Sequence, residues 1–384
     1  MSQAAETELN VVQGGLQLRR FPRSGRDPLR AWDAADVYLL KQLDEEPLAE
    51  GVTYILNDAC GALAVSLAGR PATAQPVFMS SDSWLAHQAT CANLRDNGLS
   101  ESRVSLIKSV DAPPADVATV LIKIPKSLAL LEDQLHRLRP HLLSGARILG
   151  AGMVRDIHTS TLQLFEGILG PTTTSLARSK ARLIHCELDP DLDPGASPYP
   201  TEFVLEGTDW TLSSDASVFS RDRLDIGTRH LLAQVPTCDG TRHIVDLACG
   251  NGVVGLVAAE RNPLSRISFV DESFMALASA KRNWDRMFGT RTACFEAADC
   301  LGSMGADSAD VILCNPPFHQ HHAKGDATAW RMFTASRRVL RSGGELIIVG
   351  NQHLAYHAKL RRLFGNCKVL YSDAKFVVLQ ARCR

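Results

Sequence analysis

The chain of 384 residues has no uninterrupted apolar run that approaches the ~20 residues needed to span a bilayer. Residues 1–10 also lack the basic and apolar segments of a secretory signal. Hydrophobic residues at 45% and charged residues at 22% are the proportions of an ordinary globular protein. We therefore expect a cytoplasmic protein with two domains of common size.

The ten cysteines show no CxxC spacing, and in a cytosolic chain they are expected to pack as small apolar residues. They stand at positions 60, 91, 186, 238, 249, 294, 300, 314, 367 and 383. His319, His321 and His322 form a histidine cluster, but no acid or cysteine at ligand spacing accompanies them. The sequence thus favours neither a disulfide nor a metal site, and it favours a polar loop near the substrate at these histidines.

A large charge of either sign is missing as well. The net charge of -1 and the pI near 6.9 argue against a protein that coats nucleic acid indiscriminately. They leave room for a locally basic face, because binding depends on where charge lies rather than on its sum.

The chain does contain the same alternation of predicted strands and helices in both of its halves. Asp189 to Pro200 holds four prolines and three aspartates, which predicts a linker between a domain at 1–188 and a domain at 201–384. On both sides short apolar runs alternate with amphipathic segments, the pattern of strands and helices in a parallel sheet. The second half predicts strands near 243–247, 266–270, 292–296, 310–314, 345–350, 367–372 and 375–381, and helices near 253–261, 273–287, 327–341 and 354–364.

This order, with a closing antiparallel hairpin, resembles the seven-stranded, Rossmann-like class I methyltransferase fold. The predicted fold class is therefore α/β, with two such domains in tandem. The two halves also match letter by letter at a spacing near 190 residues, which suggests a duplication. The matched positions differ where chemistry would occur, so we expect the first half to be a degenerate copy. These pairs are Asp246 with Asn57, Gly252 with Leu63, Asp271 with Ser81, and Asn315 with Ile124.

A glycine-rich turn follows the first predicted strand of the second half and opens a helix. Read literally, Gly250, Gly252 and Gly255 form GxGxxG with Asp271 about 20 residues on, as in a dinucleotide fingerprint. Asp246 counts against NAD, because a carboxylate inside the turn would repel a pyrophosphate and suits a cationic ligand. The DxxxGxG spacing resembles the first motif of class I methyltransferases, which implies S-adenosylmethionine as cofactor.

By the same resemblance, Asp271 would bind the ribose hydroxyls and Asp299 the adenine amino group. The predicted cofactor site comprises Asp246, Cys249, Gly250, Gly252, Asp271, Glu272, Asp299, Cys300 and Asn315. A segment before the first motif strand adds the second-rank candidates Phe219, Asp225 and Gly227.

Asn315, Pro316, Pro317 and Phe318 follow an apolar run, so Asn315 is expected at the carboxyl edge of a strand, where α/β sheets bind ligands. The four residues resemble the catalytic motif of methyltransferases that modify exocyclic or amide nitrogen. In the resulting hypothesis, the Asn315 oxygen and the Pro316 carbonyl accept N–H bonds from the target amine. Phe318 stacks on an extruded base. This motif alone leaves adenine N6 in DNA, a protein glutamine amide and guanine N2 in RNA open.

Nearly end to end, the chain resembles the bacterial ribosomal RNA guanine-N2 methyltransferases with duplicated domains, and most closely those of the large subunit. The matching stretches are 21–22, 31–36, 56–58, 155–161, 205–210, 218–220, 224–227 and 315–319. The resemblance implies transfer to N2 of one guanosine in 23S ribosomal RNA, either naked or in a partly assembled subunit. Rival functions are a small-subunit guanine-N2 methyltransferase, a DNA adenine-N6 methyltransferase and a non-catalytic assembly factor.

Basic side chains point to the same kind of partner. Between residues 120 and 182 nine basic residues stand against four acidic ones. The RNA-binding candidates are Lys123, Lys126, Arg155, Arg178, Lys180, Arg182 and His319, and the first half is expected to help hold the RNA.

Overall fold

The structure is a computed structural model that describes residues 6–12, 14–23, 28–46, 48, 50–70, 75–238, 240–317 and 322–384, the side chains of 322–326 excepted. It divides into two compact units, Met1–Tyr199 and Pro200–Arg384. Each unit is built around its own sheet.

The first unit alternates strands and helices after a short amino-terminal hairpin. Its elements are β1 (Glu8–Val11), β2 (Gly14–Gln17), α1 (Ala34–Glu45), β3 (Val52–Leu56), α2 (Ala62–Ala68), β4 (Val77–Ser81), α3 (Trp84–Asp96), β5 (Val104–Lys108), β6 (Val117–Lys123), α4 (Leu128–Leu138), β7 (Leu142–Met153), α5 (Thr159–Ile168), β8 (Thr172–Thr174) and β9 (Ala181–Cys186).

The second unit begins with a hairpin and a helix and then repeats the alternation. Its elements are β10 (Thr201–Val204), β11 (Thr211–Ser214), α6 (Ile226–Ala233), β12 (His243–Leu247), α7 (Val253–Arg261), β13 (Arg266–Asp271), α8 (Phe274–Phe288), β14 (Cys294–Ala297), β15 (Ala309–Cys314), α9 (His322–Val339), β16 (Leu340–Asn351), α10 (Tyr356–Phe364), β17 (Lys368–Ser372) and β18 (Phe376–Arg382).

The two seven-stranded sheets have the same topology. The strand order is β5-β4-β3-β6-β7-β9-β8 in the first unit and β14-β13-β12-β15-β16-β18-β17 in the second. In both, five consecutive strands pair parallel and the penultimate position in the order holds a strand that pairs antiparallel on both sides, so the last strand points the same way as the first five. The predicted α/β class with two tandem seven-stranded sheets is confirmed, and the equal strand orders agree with a duplication.

The strands are apolar because helices cover both faces of each sheet. In β12 every residue is buried, and β15 is buried at all positions but one. The sequence located the strands of the second half to within a few residues, except that β16 begins at Leu340. It did not predict the β10–β11 hairpin or the helix α6.

The proline-rich segment 189–200 contains neither helix nor strand, as its composition predicts. Most of it lies against the first unit. The Arg139 guanidinium donates to the carbonyls of Asp189 and Leu192, and the Tyr199 hydroxyl donates to Glu132 at 2.7 Å. The division between units therefore falls at the carboxyl end of this segment.

Across the described residues, no helix has both the length and the apolar character that crossing a lipid bilayer requires.

Close packing of α7 on β13 supports the site described below. Phe269 of β13 is fully buried, and its ring stacks on that of Phe295 with centroids 4.9 Å apart. A Cβ added at Gly255 of α7 would lie 2.3 Å from Phe269 Cε1. The glycine therefore lets the helix approach the strand more closely than any other residue would.

We expect Gly255→Ala to lower the free energy of unfolding by about 1–3 kcal/mol, the usual cost of overpacking a core, although alanine is the better helix former. Thermal melting of the full chain measures the loss. Gly305→Ala is the matched control, because an added Cβ there meets no atom within 4 Å. Equal melting temperatures for the two variants would contradict the assignment.

Candidate active site

Four neighbouring strands of the second sheet end at one edge, and the predicted site residues lie in the last positions of these strands or just after them. The parallel pairing aligns Leu247 with Val270 and with Cys314, and aligns Asp271 with Ala297. The residues that come next, including Asp299 and Asn315, therefore stand side by side at the carboxyl edge. Ligands of open α/β sheets bind at such an edge.

The glycine-rich turn after β12 crosses the end of β13. The amides of Ala248 and Cys249 donate to the Val270 carbonyl at 2.8 and 3.2 Å, and Gly252 caps α7 with a φ of 83°. A Cβ at Gly252 would lie 2.8 Å from the Ala280 Cβ, whereas one at Gly250 would meet nothing within 4 Å. Gly252 is thus required for packing, and Gly250 leaves open space in which a ligand can approach the backbone.

Asp246 lies beneath this turn and is buried. Its Oδ2 accepts the Gly255 amide hydrogen at 2.8 Å, which ties the end of β12 to the first turn of α7. Burial, helped by the nearby charge of Asp271, raises the pKa of the Asp246 carboxyl to about 8. A carboxyl in this state gains most from a neighbouring cation, which would favour its ionised form.

Asp271 closes the turn from the other side. Its two carboxylate oxygens accept the amide hydrogens of Gly250 and Ser273, each at 3.0 Å. Glu272 is half-buried next to it. Asp271 therefore stands between the glycine turn and the start of α8, where the sequence placed a ribose-binding carboxylate.

Asp299 follows β14, and Arg331 of α9 forms an ion pair with it. The Cys300 thiol donates to Asp299 Oδ1 at 3.4 Å, and burial together with that charge raises the pKa of Cys300 to about 12. Burial likewise raises the pKa of Cys249 well above its ordinary value. Both thiols are therefore protonated at neutral pH, so they can line a pocket but are poor nucleophiles.

Asn315 follows β15 and is fixed through its nitrogen. Nδ2 donates to Thr228 Oγ1 at 2.8 Å. The amide oxygen, Oδ1, is buried and accepts no hydrogen bond from any residue that the structure describes. Pro316 is buried and Pro317 is half-buried, and the predicted residues Phe318 and His319 lie outside the described residues. Among the residues that the structure describes, the Asn315 oxygen at this edge is thus an oriented acceptor without a donor.

The second-rank candidates lie around α6. Asp225 caps this helix by accepting the Thr228 amide hydrogen at 2.8 Å, and it lies 3.5 Å from Asn315 Nδ2. Gly227 is buried, and an added Cβ would lie 3.1 Å from Asp225 Oδ2. Phe219 is 52% exposed. The structure therefore places the Asp225 carboxylate at the site, next to the Asn315 side chain.

The basic candidates of the first unit lie mostly at the carboxyl edge of its own sheet. Lys126 follows β6, Arg155 follows β7, and Arg178 and Lys180 precede β9, which runs antiparallel to β7. These four residues are exposed. Arg182, within β9, is half-buried.

Lys123 departs from this pattern. Its side chain is 13% exposed, and its Nζ lies 2.7 Å from Asp33 and 2.8 Å from Asp36. Burial lowers the pKa of Lys123, but the carboxylates of Asp36 and Asp33 outweigh it and hold that pKa above its ordinary value. Because its charge is already paired inside the unit, we remove Lys123 from the RNA-binding candidates.

The corresponding edge of the first unit is filled by its own side chains. Asn57, which matches Asp246, exchanges two hydrogen bonds of 2.8 Å with Gln134. Asp58 is buried and accepts the amide hydrogens of Ala62, Leu63 and Ala64. The polar groups of Asn57 and Asp58 are therefore satisfied by partners within the unit.

No group of three or more His, Cys, Asp or Glu side chains among the described residues is arranged to hold a metal ion.

Comparison with known proteins decides the family. Residues 6–190 match the model of the RLMG N-terminal domain, and residues 209–380 match that of the methyltransferase small domain. The ribosomal RNA large subunit methyltransferase G of Streptomyces avermitilis is 51% identical over 375 residues, which cover 96% of this chain and 97% of that protein. The chain belongs to the ribosomal RNA large subunit methyltransferase G family.

Other members of this family are similarly close. That of Aeromonas salmonicida is 47% identical over 98% of this chain and 99% of its own length. That of Yersinia pestis is 47% identical over 98% and 94%. Among solved structures, a T. thermophilus 16S rRNA N2 methyltransferase in complex with AdoMet and guanosine superposes with a TM-score of 0.76 at 21% identity, covering 98% of both chains. It shares the fold of both units.

Sequence reasoning missed two residues that contact the predicted residues of this candidate site, Thr228 and Arg331. Thr228 stands three residues after the helix-capping Asp225, a spacing typical of a helix start, but its contact with Asn315 links residues 87 apart. Arg331 lies within an amphipathic helix with no local signal that it pairs with Asp299.

The raised pKa of Asp246 predicts a pH-dependent stability. Between the ordinary aspartate pKa of 3.8 and about 8, the folded protein retains a proton that the unfolded chain has released, so this group's contribution to stability falls as pH rises. Asp246→Asn removes that loss. On going from about pH 5 to about pH 8, the free energy of unfolding of the variant should therefore rise relative to that of the wild type by at least about 1 kcal/mol, the value of one pKa unit.

Thermal melting of the protein without S-adenosylmethionine at both pH values measures this gain. Asp285→Asn is the control, since that carboxylate is exposed and paired with Lys281. A stability difference between Asp246→Asn and wild type that does not change with pH would contradict the buried, protonated carboxyl.

Proposed function

We propose that this chain transfers the methyl group of S-adenosylmethionine to the exocyclic N2 of one guanosine in 23S ribosomal RNA, in the cytoplasm. The names of its relatives support a large-subunit ribosomal RNA substrate. The structural relative bound to AdoMet and guanosine supports the donor and the target atom. The observation that carries the proposal is the buried Asn315 Oδ1, an acceptor without a described partner at the ligand-binding edge.

A buried acceptor without a donor costs roughly 1–3 kcal/mol, so a ligand that brings an N–H group to this position is favoured. Guanine N2 carries two hydrogens and no charge. The acidic side chains of Asp225 and Asp246 at this edge disfavour a negatively charged target, whereas an uncharged amine meets no such repulsion. The edge therefore suits a neutral amine better than an anionic oxygen.

In the proposed mechanism, Asn315 Oδ1 and the Pro316 carbonyl each accept one hydrogen bond from the target amine. These bonds turn the nitrogen lone pair out of conjugation with the ring and towards the methyl group. When bound, S-adenosylmethionine supplies a methyl group on a positively charged sulfur. While the methyl group is transferred to the nitrogen, the Asn315 and Pro316 acceptors would keep the amine in place, and the surplus proton would pass from the methylated nitrogen to bulk water as the product leaves. Alignment and exclusion of water replace a strong base.

The remaining edge residues fit the donor. Asp271 is proposed to bind the ribose hydroxyls and Asp299 the adenine amino group, and the open space above Gly250 supports a ligand close to the backbone. The uncharged Cys249 and Cys300 thiols and Glu272 would line the same pocket. Phe318 is proposed to stack on the target base, and His319 to lie near the RNA.

The first unit is proposed to be a degenerate copy that docks the RNA. Ile124 at the position of Asn315 has no hydrogen-bonding group, and the internal contacts of Asn57 and Asp58 close the matching edge. The exposed basic residues at this edge, Lys126, Arg155, Arg178 and Lys180, with Arg182 beside them, are of the kind that contact phosphates.

Asn315→Ala should leave the affinity for S-adenosylmethionine nearly unchanged and abolish turnover, because the side chain aligns the amine. Calorimetry measures donor binding, and methyl transfer is assayed with naked 23S RNA, assembled large subunits, small subunits and DNA. The expected product is N2-methylguanosine in large-subunit RNA. Any other labelled nucleoside would overturn the substrate, and full activity of the variant would overturn the mechanism.

Reversing the charges of Lys126, Arg178 and Lys180 to glutamate should weaken RNA binding. It should also reduce the slope of log affinity against log salt by roughly one for each phosphate that the protein no longer neutralises. Donor affinity should not change. Arg95→Glu is the control, because this exposed arginine lies at the end of α3 on the opposite edge of the sheet. Equal weakening by the control would show that overall charge, and not this edge, governs binding.

A further inference from the structure

Two side chains at the start of α6, Thr228 and Asp225, form a chain of hydrogen bonds with Asn315. Asn315 Nδ2 donates to Thr228 Oγ1 at 2.8 Å, and Thr228 Oγ1 donates to Asp225 Oδ2 at 3.2 Å. The same Oδ2 accepts the Thr228 amide hydrogen at 2.8 Å and lies 3.5 Å from Asn315 Nδ2. A residue after β15 is thereby tied to residues 87 and 90 positions earlier in the chain.

The chemistry of these groups gives the bonds one direction. A carboxylate can only accept hydrogen bonds, so Asp225 takes the single hydroxyl hydrogen of Thr228. The Thr228 oxygen then has only lone pairs to offer, and it requires a donor from Asn315. If the amide were rotated by 180°, Asn315 Oδ1 and the Asp225 carboxylate would compete for the single Thr228 hydroxyl hydrogen, and one of the two acceptors would lose its donor.

We propose that Asp225 and Thr228 are positioning residues that fix which end of the Asn315 amide faces the substrate. The inference rests on the proposed function, in which Asn315 Oδ1 accepts a hydrogen bond from the target amine. An amide is nearly symmetric in shape, so packing alone cannot select between its oxygen and its nitrogen. The carboxylate makes the selection, and the hydroxyl transmits it.

The packing of α6 holds this arrangement in place. An added Cβ at Gly227 would lie 3.1 Å from both Asp225 Oδ2 and Phe376 Cε1, so the helix start has no spare room. One turn later, the His230 ring stacks on Tyr371 with centroids 4.3 Å apart. Because α6 is packed against β17 and β18, the orientation of Asn315 is set before any RNA binds.

Two variants test the inference while keeping the helix start intact. Thr228→Val keeps the side-chain volume and removes the hydroxyl, and Thr228→Ser is its matched control because it restores the hydroxyl. Asp225→Ser keeps a good helix cap but removes the carboxylate. Thr228→Val and Asp225→Ser should lower kcat about 10-fold to 100-fold, the scale of loss for a misplaced reacting group. Thr228→Ser should keep most of the wild-type kcat.

The full-length variants are assayed at saturating S-adenosylmethionine on whichever large-subunit substrate the wild type methylates, with melting temperature and donor affinity measured alongside. A fall in kcat with donor affinity within about threefold of wild type, less than 1 kcal/mol, supports the positioning role. The inference is overturned if kcat is unchanged, if its loss follows the loss of donor binding, or if Thr228→Ser fails as badly as Thr228→Val.

Asn315→Ala, measured in the same assay, tests the proposed function separately from the positioning role. If Asn315→Ala is inactive while Thr228→Val and Asp225→Ser are fully active, the proposed function is retained and only the positioning role is refuted. A fully active Asn315→Ala would instead refute the mechanism on which the positioning role depends.

Discussion

Parallel strand pairing is the constraint on which the site depends. Because β14, β13, β12 and β15 run in the same direction and in register, the residues that follow each of them meet at one edge. Residues 246, 271, 299 and 315 are far apart in the chain, and no local contact could gather them. Backbone hydrogen bonds in the sheet set their spacing, and the packing of α7 on Phe269 fixes the turn above it. The side chains at the edge only have to supply the chemistry.

Much of this was predictable from the sequence because periodic apolar runs mark buried strands and helices wherever they occur. The strand ends, and therefore Asp246, Gly250, Asp271 and Asn315, could be located in the same way. What the sequence did not predict depends on distant partners. Thr228 matters because of Asn315, and Lys123 is buried against Asp33 and Asp36, about 90 residues before it. A basic residue counted in a window gives no sign that its charge is already paired.

The glycines show a related limit. In a GxGxxG reading the three positions look equivalent, yet Gly252 and Gly255 accommodate Ala280 and Phe269, and only Gly250 leaves space open. Two of the three therefore report on packing between the helices and the sheet. The dinucleotide fingerprint and the methyltransferase turn share this packing requirement, which explains why the glycine pattern by itself could not separate the two cofactors, and why the carboxylate at Asp246 was needed.

The paired amides of Asn57 and Gln134 bear on the history of the first unit. Once an internal hydrogen-bond network occupies a former ligand edge, the fold gains stability that it would lose on reopening. Regaining a ligand site would then require several changes together, with each intermediate less stable than the last. If the first unit is the degenerate copy proposed above, changes on its outer surface would leave this internal network intact, whereas changes at Asn57 or Gln134 would break it.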